Sequence, residues 1–162
     1  MKGYTYNYEF STQWKQAIFT GAWIVDPKLR DLIKNLFKEK IGNLLPEIKD
    51  HHMTCHFRPT YDQFINLVYG QHAKLHMIGL AGDDKAQAIL VQTELETQNI
   101  HPHITVAVNK TPPKYSNELI AKGPVFYLPK PIILEAKIGY YTGQEIVYEP
   151  LNNGFTTQIS DR

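Results

Sequence analysis

The spacing of apolar residues changes twice in the first seventy positions, and each change predicts an element. Ala17–Val25 is a nearly continuous run of apolar, aromatic and β-branched residues, which is typical of a strand. Asp26 and Pro27 follow with the chemistry of a helix N-cap and a first-turn proline. Apolar residues then recur at intervals of three and four, which predicts a helix with one buried face: Leu29, Leu32, Ile33, Leu36 and Phe37.

The pattern then returns to a period of two. Polar and apolar residues alternate through His51–Phe57, which predicts a second strand. Thr60 and Gln63 have the spacing of a capping box, so a short amphipathic helix should follow. The second half of the chain predicts one more short helix and five strands: Asn117–Ala121 for the helix, and His72–Leu80, Ala86–Thr93, His103–Val108, Pro131–Tyr141 and Glu145–Tyr148 for the strands.

Strands outnumber helices in this pattern, and few strand–helix–strand units are evident. That combination favours an α+β fold with an antiparallel sheet over a doubly wound fold. Prolines and glycines are scattered singly, and no charge run or low-complexity block marks a linker. We therefore expect one domain over residues 1–162.

Composition narrows the class of protein. The chain has 162 residues, of which 43% are hydrophobic and 20% charged, so it is neither disordered nor fibrous. No apolar run approaches the roughly 20 residues of a membrane span, and the single cysteine, Cys55, suits a reducing compartment. The net charge of +1 argues against a long nucleic-acid footprint. These features predict a cytoplasmic protein without a membrane partner, and nothing in the sequence indicates an obligate protein partner.

Two of the predicted strands carry the same short text. His52–Cys55 and His103–Val106 both read His, apolar, Thr, apolar. Alternate residues of a strand share a face and lie about 6.5 to 7 Å apart. Each strand should therefore present one imidazole and one hydroxyl on the side opposite its apolar residues. We refer to His52, Thr54, His103 and Thr105 as the tetrad.

The tetrad has the side chains that attack on a phosphodiester requires. A neutral histidine takes a proton from water or a ribose hydroxyl, and a protonated one donates to the leaving oxygen. Both forms of imidazole coexist near neutral pH. The threonine hydroxyls donate hydrogen bonds to the phosphoryl oxygens as charge builds. This chemistry needs no metal and no cofactor, and the sequence leaves open which histidine is the base.

The twin His-x-Thr strands resemble the two-histidine (2H) phosphoesterase superfamily. The similar text is HHMTCHF, PHITVAV and the YSNEL that follows, and the resemblance covers roughly Ala17 to Tyr148. The branch that looks most similar is the cyclic phosphodiesterase domain of fungal and plant tRNA ligases and related RNA-repair-like proteins. The resemblance implies a bilobal fold, in which two antiparallel sheets face a central cleft with helices on the outside. It also implies a catalytic role for the tetrad.

The substrates that the resemblance implies are nucleotide phosphodiesters. They include RNA ends with a 2′,3′-cyclic phosphate, and cyclic, 2′–5′ or 3′–5′ oligonucleotides. Some viral members of the superfamily degrade nucleotide messengers of host immunity. The partner expected here is accordingly a nucleotide or a short RNA. His52 and His103 are only 51 residues apart, which is short for the superfamily and implies a reduced first lobe with a more open cleft.

Five more residues are candidate substrate-binding residues: His56, Lys74, Tyr115, Ser116 and Asn117. His56 follows Thr54 on the same face if alternation continues. Lys74 alternates with two histidines on one strand face, which is either solvated or able to hold phosphates. Ser116 or Asn117 is expected to cap the helix that follows, or that helix N-terminus faces an anion.

Two other readings of the histidines remain open. A binding module would keep the cleft and sequester nucleotides without turnover. A metal-dependent hydrolase would use His101 and His103, or draw on the cluster that includes His51 and His56. On a regular strand His52 and His56 lie about 13 Å apart, too far for one ion to bind both. His51 should point away from His52, and Cys55 should point into the core.

Overall fold

The computed structural model describes residues 13–124 and 126–151. Residues 13–16 are helical, and three longer helices follow: α1 (Pro27–Leu36), which continues as a π-turn over Phe37–Ile41, α2 (Tyr61–Ile65) and α3 (Ser116–Ala121). The strands are β1 (Phe19–Trp23), β2 (Glu47–Ile48), β3 (His52–Phe57), β4 (His72–Gly82), β5 (Ala86–Gln92), β6 (His103–Val108), β7 (Phe126–Tyr141) and β8 (Ile146–Val147).

Six of the strands close into an antiparallel barrel in the order β1-β3-β6-β5-β4-β7. The barrel closes because the 16-residue β7 pairs with β4 along one part and with β1 along another; Lys137 faces both His72 and Trp23. The α+β class and the antiparallel pairing are confirmed. The two separate sheets of the expected bilobal fold are not confirmed, since the described strands form one continuous sheet. The prediction of one domain over 1–162 includes residues 1–12, 125 and 152–162, which lie outside the described residues.

Local sequence signals explain both ends of the longest helix. The Asp26 side chain accepts a hydrogen bond of 2.9 Å from the Lys28 N–H, and Pro27 occupies the first turn. The π-turn ends at Gly42, whose φ of 101° is a conformation that favours glycine. The capping box of α2 is confirmed, with Thr60 and Gln63 bonding each other's backbone N–H.

The predicted strand at Pro131–Tyr141 begins five residues earlier, at Phe126. The register with β4 explains how the strand contains two prolines. Met77 pairs with Ile132 and Gly79 pairs with Tyr127, so residues 128–131 have no partner on β4. Because proline has no N–H to donate, Pro129 and Pro131 fit this bulge without breaking the ladder.

The core consists of two clusters. The larger joins the buried face of α1 to one face of β3 and β6, where Met53 and Ile104 are fully buried. The smaller lies against α3 and includes Val108, Leu119 and Ile120. Apolar residues of β3 and β6 therefore anchor both strands in the core and leave the alternate positions for the other face. Within the described residues no helix is long and apolar enough to cross a membrane.

Candidate active site

All four tetrad side chains line one cavity of about 530 Å³. β3 and β6 are neighbours in the barrel and run antiparallel, with Met53 paired to Ile104. Antiparallel pairing about Met53 and Ile104 puts His52 on the Thr105 side of that pair and Thr54 on the His103 side. Each imidazole is therefore nearest in register to a hydroxyl of the other strand. Directly opposite residues of an antiparallel pair have Cβ atoms about 4.5 to 5.5 Å apart. The structure therefore brings the four tetrad residues together in one cavity, as the alternation within the two strands predicted.

A bulge immediately before β3 shapes one side of this cavity. The Lys49 N–H bonds the Val106 carbonyl at 2.9 Å, and Met53 pairs with Ile104. The three residues 50–52 therefore span a stretch that Thr105 alone spans on β6. Because the excess is two residues, the alternation of β3 is preserved while the chain between the two pairings bends outward.

The bulge brings a carboxylate back to the first histidine. His52 Nδ1 lies 3.2 Å from Asp50 Oδ1 and 3.2 Å from the Asp50 carbonyl oxygen. The Trp23 indole N–H donates to Asp50 Oδ2 at 3.0 Å. The hydrogen bond from His52, aided by its charge and by Trp23, lowers the pKa of Asp50 to about 2 although burial acts in the opposite direction. Asp50 is thus a carboxylate that holds a proton on Nδ1 of His52 and leaves Nε2 for the cavity.

Aromatic rings fix the plane of the His52 imidazole. The Phe19 and Trp23 rings are stacked on it, each with a centroid distance of 5.1 Å and interplanar angles of 23° and 22°. Both residues belong to β1, which pairs with β3 and sets Trp23 opposite His52. Stacked contacts of this kind restrict the ring to one orientation.

The second histidine is held differently. His103 Nδ1 lies 2.9 Å from the carbonyl oxygen of His101, which fixes a proton on Nδ1. The side chain is buried, and burial is the main reason that the pKa of His103 lies below its usual value of 6.5. The charge of His52 lowers this pKa further, while the His101 carbonyl acts in the opposite direction. The two imidazoles are therefore electrostatically coupled and differ in environment.

Ser116 supports the tetrad rather than capping a helix. The prediction that Ser116 or Asn117 caps α3 is wrong: a 3₁₀ turn over Pro113–Tyr115 leads into the helix, and no side chain caps its first turn. The buried Ser116 Oγ instead lies 2.8 Å from Thr105 Oγ1. This hydrogen bond orients the Thr105 hydroxyl in the cavity.

Of the five candidate substrate-binding residues, the structure places only Asn117 in the wall of this cavity. The Tyr115 hydroxyl donates to Asp83 Oδ2 at 2.6 Å, away from the tetrad. Lys74 lines a separate cavity of about 700 Å³, which it shares with His72 and His76. The polar row of His72, Lys74 and His76 on β4 is separated from the tetrad because β5 lies between β4 and β6.

His56 does not share the face of Thr54. Gly21 of β1 pairs with Thr54 of β3, and the adjacent Thr20 pairs with His56. Cys55 is therefore an extra residue in β3. The bulge moves the next cavity-facing position from His56 to Phe57. His56 is buried instead, with Nε2 3.9 Å from Glu96. Cys55 is buried as predicted, and burial raises the pKa of its thiol to about 12.

Sequence reasoning missed eight other residues of the cavity wall: Phe19, Lys49, Asp50, Phe57, Gln98, Asn99, Pro113 and Lys114. Only Asp50 had a detectable signal, because a carboxylate two positions before a candidate histidine is a possible orienting partner. The others come from loops, from β1, from the end of β3 and from the 3₁₀ turn before α3. The Gln98 side chain, for example, accepts the Phe57 N–H at 2.8 Å, which is a contact across 41 residues.

The neighbouring histidine, His51, faces away from the cavity as predicted. It is 2% exposed, and neither ring nitrogen has a hydrogen-bond partner among the described residues. Burial above all, with Lys34 and Arg30, lowers its pKa from 6.5 to about 4; Asp50 and the Val106 carbonyl oppose this weakly. His51 is therefore a buried neutral imidazole.

This burial predicts an acid-sensitive fold. The unfolded chain binds a proton at His51 near pH 6.5, whereas the folded chain resists it until about pH 4. The stabilisation is complete above pH 6.5 and is lost as the pH falls through 4, with a total of about 3 kcal/mol. Urea unfolding of native protein and of His51→Gln over this range should show a flatter pH dependence for the variant. An unchanged slope would contradict the assignment, and exposed His101→Gln is the control.

The histidines that were candidate metal ligands do not form a metal site within the part of the chain that the structure describes. Among residues 13–124 and 126–151, no group of three or more His, Cys, Asp or Glu side chains is placed to bind one ion. His101 is exposed, and its carbonyl bonds His103. No protein-family model matches the chain, and no curated protein matches it. The cavity that the tetrad lines is therefore the feature that indicates a function.

Proposed function

We propose that this protein is a metal-independent phosphodiesterase that hydrolyses nucleotide phosphodiesters with the tetrad. The observation that carries the proposal is the cavity itself. It contains two imidazoles and two threonine hydroxyls. The Nδ1 atom of each imidazole lies within hydrogen-bond distance of an acceptor oxygen, which leaves Nε2 for proton transfer. Acid–base catalysis requires two proton-transfer groups held in opposite protonation states on either side of one phosphorus.

The environments of the two histidines support different roles in this mechanism. His103 is buried and its pKa is lowered, so it is the neutral base, and its free Nε2 takes a proton from the attacking water. His52 lies beside the ionised Asp50 and is the acid. The water oxygen bonds phosphorus, the bond to the leaving oxygen breaks, and His52 Nε2 protonates that oxygen. The products are a phosphomonoester and an alcohol, and exchange with solvent resets both histidines.

The threonines stabilise the charge that builds on the phosphoryl oxygens. Thr54 and Thr105 flank the space between the two imidazoles from opposite strands. Ser116 Oγ and Thr105 Oγ1 lie 2.8 Å apart, and either hydroxyl can donate. In the proposed mechanism Ser116 is the donor, so that the Thr105 proton bonds a non-bridging oxygen. A donor held in place before reaction stabilises the transition state without reorganisation.

The rest of the cavity wall suits a nucleotide. Phe57 is 55% exposed and stands at the wall of the cavity, where a base can stack on it. Stacking on an aromatic side chain contributes about 1 to 3 kcal/mol per base. Lys49 and Lys114 add positive charge for phosphate, and Gln98 and Asn99 add amides.

The arrangement of the barrel supports the bilobal scheme of the 2H superfamily in a reduced form. Two three-stranded halves, β7-β1-β3 and β6-β5-β4, meet at the β3–β6 pair and again at the β4–β7 pair. Each half contributes one His-x-Thr strand, and the tetrad is arranged about the Met53–Ile104 pair as a two-fold axis would place it. We propose that these halves correspond to the two lobes.

The proposal is tested with a panel of substrates in EDTA. The panel contains uridine 2′,3′-cyclic phosphate, a short RNA with a 2′,3′-cyclic end and a cyclic dinucleotide. We expect turnover of at least one of them, with a bell-shaped pH profile whose acid limb lies below the usual histidine value because burial lowers the pKa of His103. Tight binding without turnover would favour the sequestering module. Activity that only added metal restores would favour a metal-dependent hydrolase using His101 and His103.

A further inference from the structure

A second, smaller pocket lies next to the tetrad cavity. It has a volume of about 260 Å³, and its described lining residues are Pro27, Arg30, Asp31, Lys34, Ile48, Lys49 and His51. Lys49 also lines the tetrad cavity, so the two share that side chain in their walls. This pocket, which we call the basic pocket, contains three cationic side chains and one carboxylate.

Helix geometry explains why the charges meet. Pro27, Arg30, Asp31 and Lys34 are three or four residues apart on α1 and therefore lie on one face. The Lys34 ammonium lies 3.4 Å from Asp31, which accounts for one of the three cations. Arg30 and Lys49 form no ion pair within residues 13–124 and 126–151.

Like charges meet around the basic pocket. Arg30 and Lys34 are like charges at i and i+4, a spacing that destabilises a helix. All three cations are partly buried, and His51 lies beside them with no hydrogen-bond partner for either nitrogen. The same two cations on α1 disfavour a proton on His51. An anion in this position would relieve the repulsion among these groups.

We propose that the basic pocket binds a second phosphate of the nucleotide chain whose scissile phosphate lies between His52 and His103. The proposal rests on the phosphodiesterase function for its choice of ligand. Lys49 supports it because this side chain lines both cavities, so a chain that leaves the tetrad cavity past Lys49 would reach the basic pocket. The protein is then adapted to substrates with at least two phosphates rather than to cyclic mononucleotides.

The first experiment compares two substrates that differ in this phosphate. Uridine 2′,3′-cyclic phosphate has one phosphate, and the dinucleotide UpU with a 2′,3′-cyclic end has two. The native protein should prefer the dinucleotide in kcat/KM. The double variant Arg30→Gln/Lys34→Gln should lower the ratio of kcat/KM for the dinucleotide to kcat/KM for the mononucleotide by about tenfold or more. Each lost charge-assisted contact directly weakens the binding of the longer substrate only.

The matched control is Lys28→Gln/Lys38→Gln. It removes the same charge from exposed positions of the same helical segment that are outside the pocket lining. The ratio should stay within about twofold of native in this control, since both substrates see the same change in net charge. Equal loss of activity toward both substrates in the Arg30/Lys34 variant, or no change in the ratio, would overturn the proposal.

The second experiment separates the basic pocket from catalysis. Inorganic phosphate is titrated into the His52→Ala/His103→Ala variant while NMR follows the side-chain signals of Arg30 and His51. These signals should shift as phosphate is added and reach a plateau at saturation. When Arg30→Gln/Lys34→Gln is introduced into the same variant, the His51 signal should no longer shift. If the native protein hydrolyses neither substrate, the proposed function fails, and this titration alone decides whether the pocket binds phosphate. Unshifted signals would overturn the site whatever the activity.

Discussion

His52→Ala and His103→Ala should each lower kcat/KM toward a cyclic phosphodiester by about 10² to 10⁴-fold. Each substitution removes one of the two proton-transfer groups, and that range is typical for general acid–base catalysis. Both groups act in the same transition state, so the double variant should lose less than the product of the two single losses. Steady-state kinetics in EDTA on the three variants measures both quantities.

The shape of the pH profile distinguishes the two roles. His103→Ala should remove the acid limb, because the buried base with the lowered pKa is no longer present. The control is His101→Ala, since that exposed side chain lies two residues from His103 and outside the cavity lining, and only its backbone bonds His103. Near-native turnover in both His52→Ala and His103→Ala would contradict the proposed mechanism. His51 is unsuitable as a control because its burial links it to stability.

Thr54→Ala and Thr105→Ala should each lower kcat by about 10²-fold, with smaller changes in KM. This is the low end of the range for a buried oxyanion donor, as expected for a cavity that is open on one side. The serine variants keep the hydroxyl and should retain most of the activity. Single-turnover kinetics compares the alanine and serine variants directly at each position.

Thr105→Ala also needs a structural control. It leaves the buried Ser116 hydroxyl without the partner that lies 2.8 Å away, at a cost of about 1 to 3 kcal/mol in stability. Ser116→Ala keeps the Thr105 hydroxyl and removes only its partner, so it should cost stability but much less activity. A loss of kcat in Ser116→Ala equal to that in Thr105→Ala would mean that the two hydroxyls act as a unit and would contradict an independent role for Thr105.

The elements that the sequence predicted are those set by neighbours within about four residues. The N-cap at Asp26, the capping box at Thr60 and the alternation that buries Met53 and Ile104 all depend on local spacing. Each was found where expected. The antiparallel α+β class followed from the same patterns, because hairpin-length connections leave few alternatives.

The errors fall where one strand depends on another. Bulges are set by the partner strand, and the extra residue at Cys55 placed Phe57 rather than His56 at the cavity. Ser116 had the local signal of a helix cap, yet its hydroxyl bonds Thr105 on a different element. A capping preference is weak enough that one buried hydrogen bond overrides it.

The sequence by itself determined which strands carry the imidazoles and hydroxyls and which of their faces is apolar, because the side-chain period of a strand is fixed by its backbone. Only the tertiary structure decided that β3 and β6 are neighbours and that the bulge before β3 brings Asp50 to His52. It also decided that His103 is buried, which lowers the pKa of that imidazole. Pairing and burial depend on residues far apart in the chain, such as Trp23 and Asp50, whose contact spans 27 positions. Closure of the barrel through β7 fixes these distances, and no local pattern encodes it.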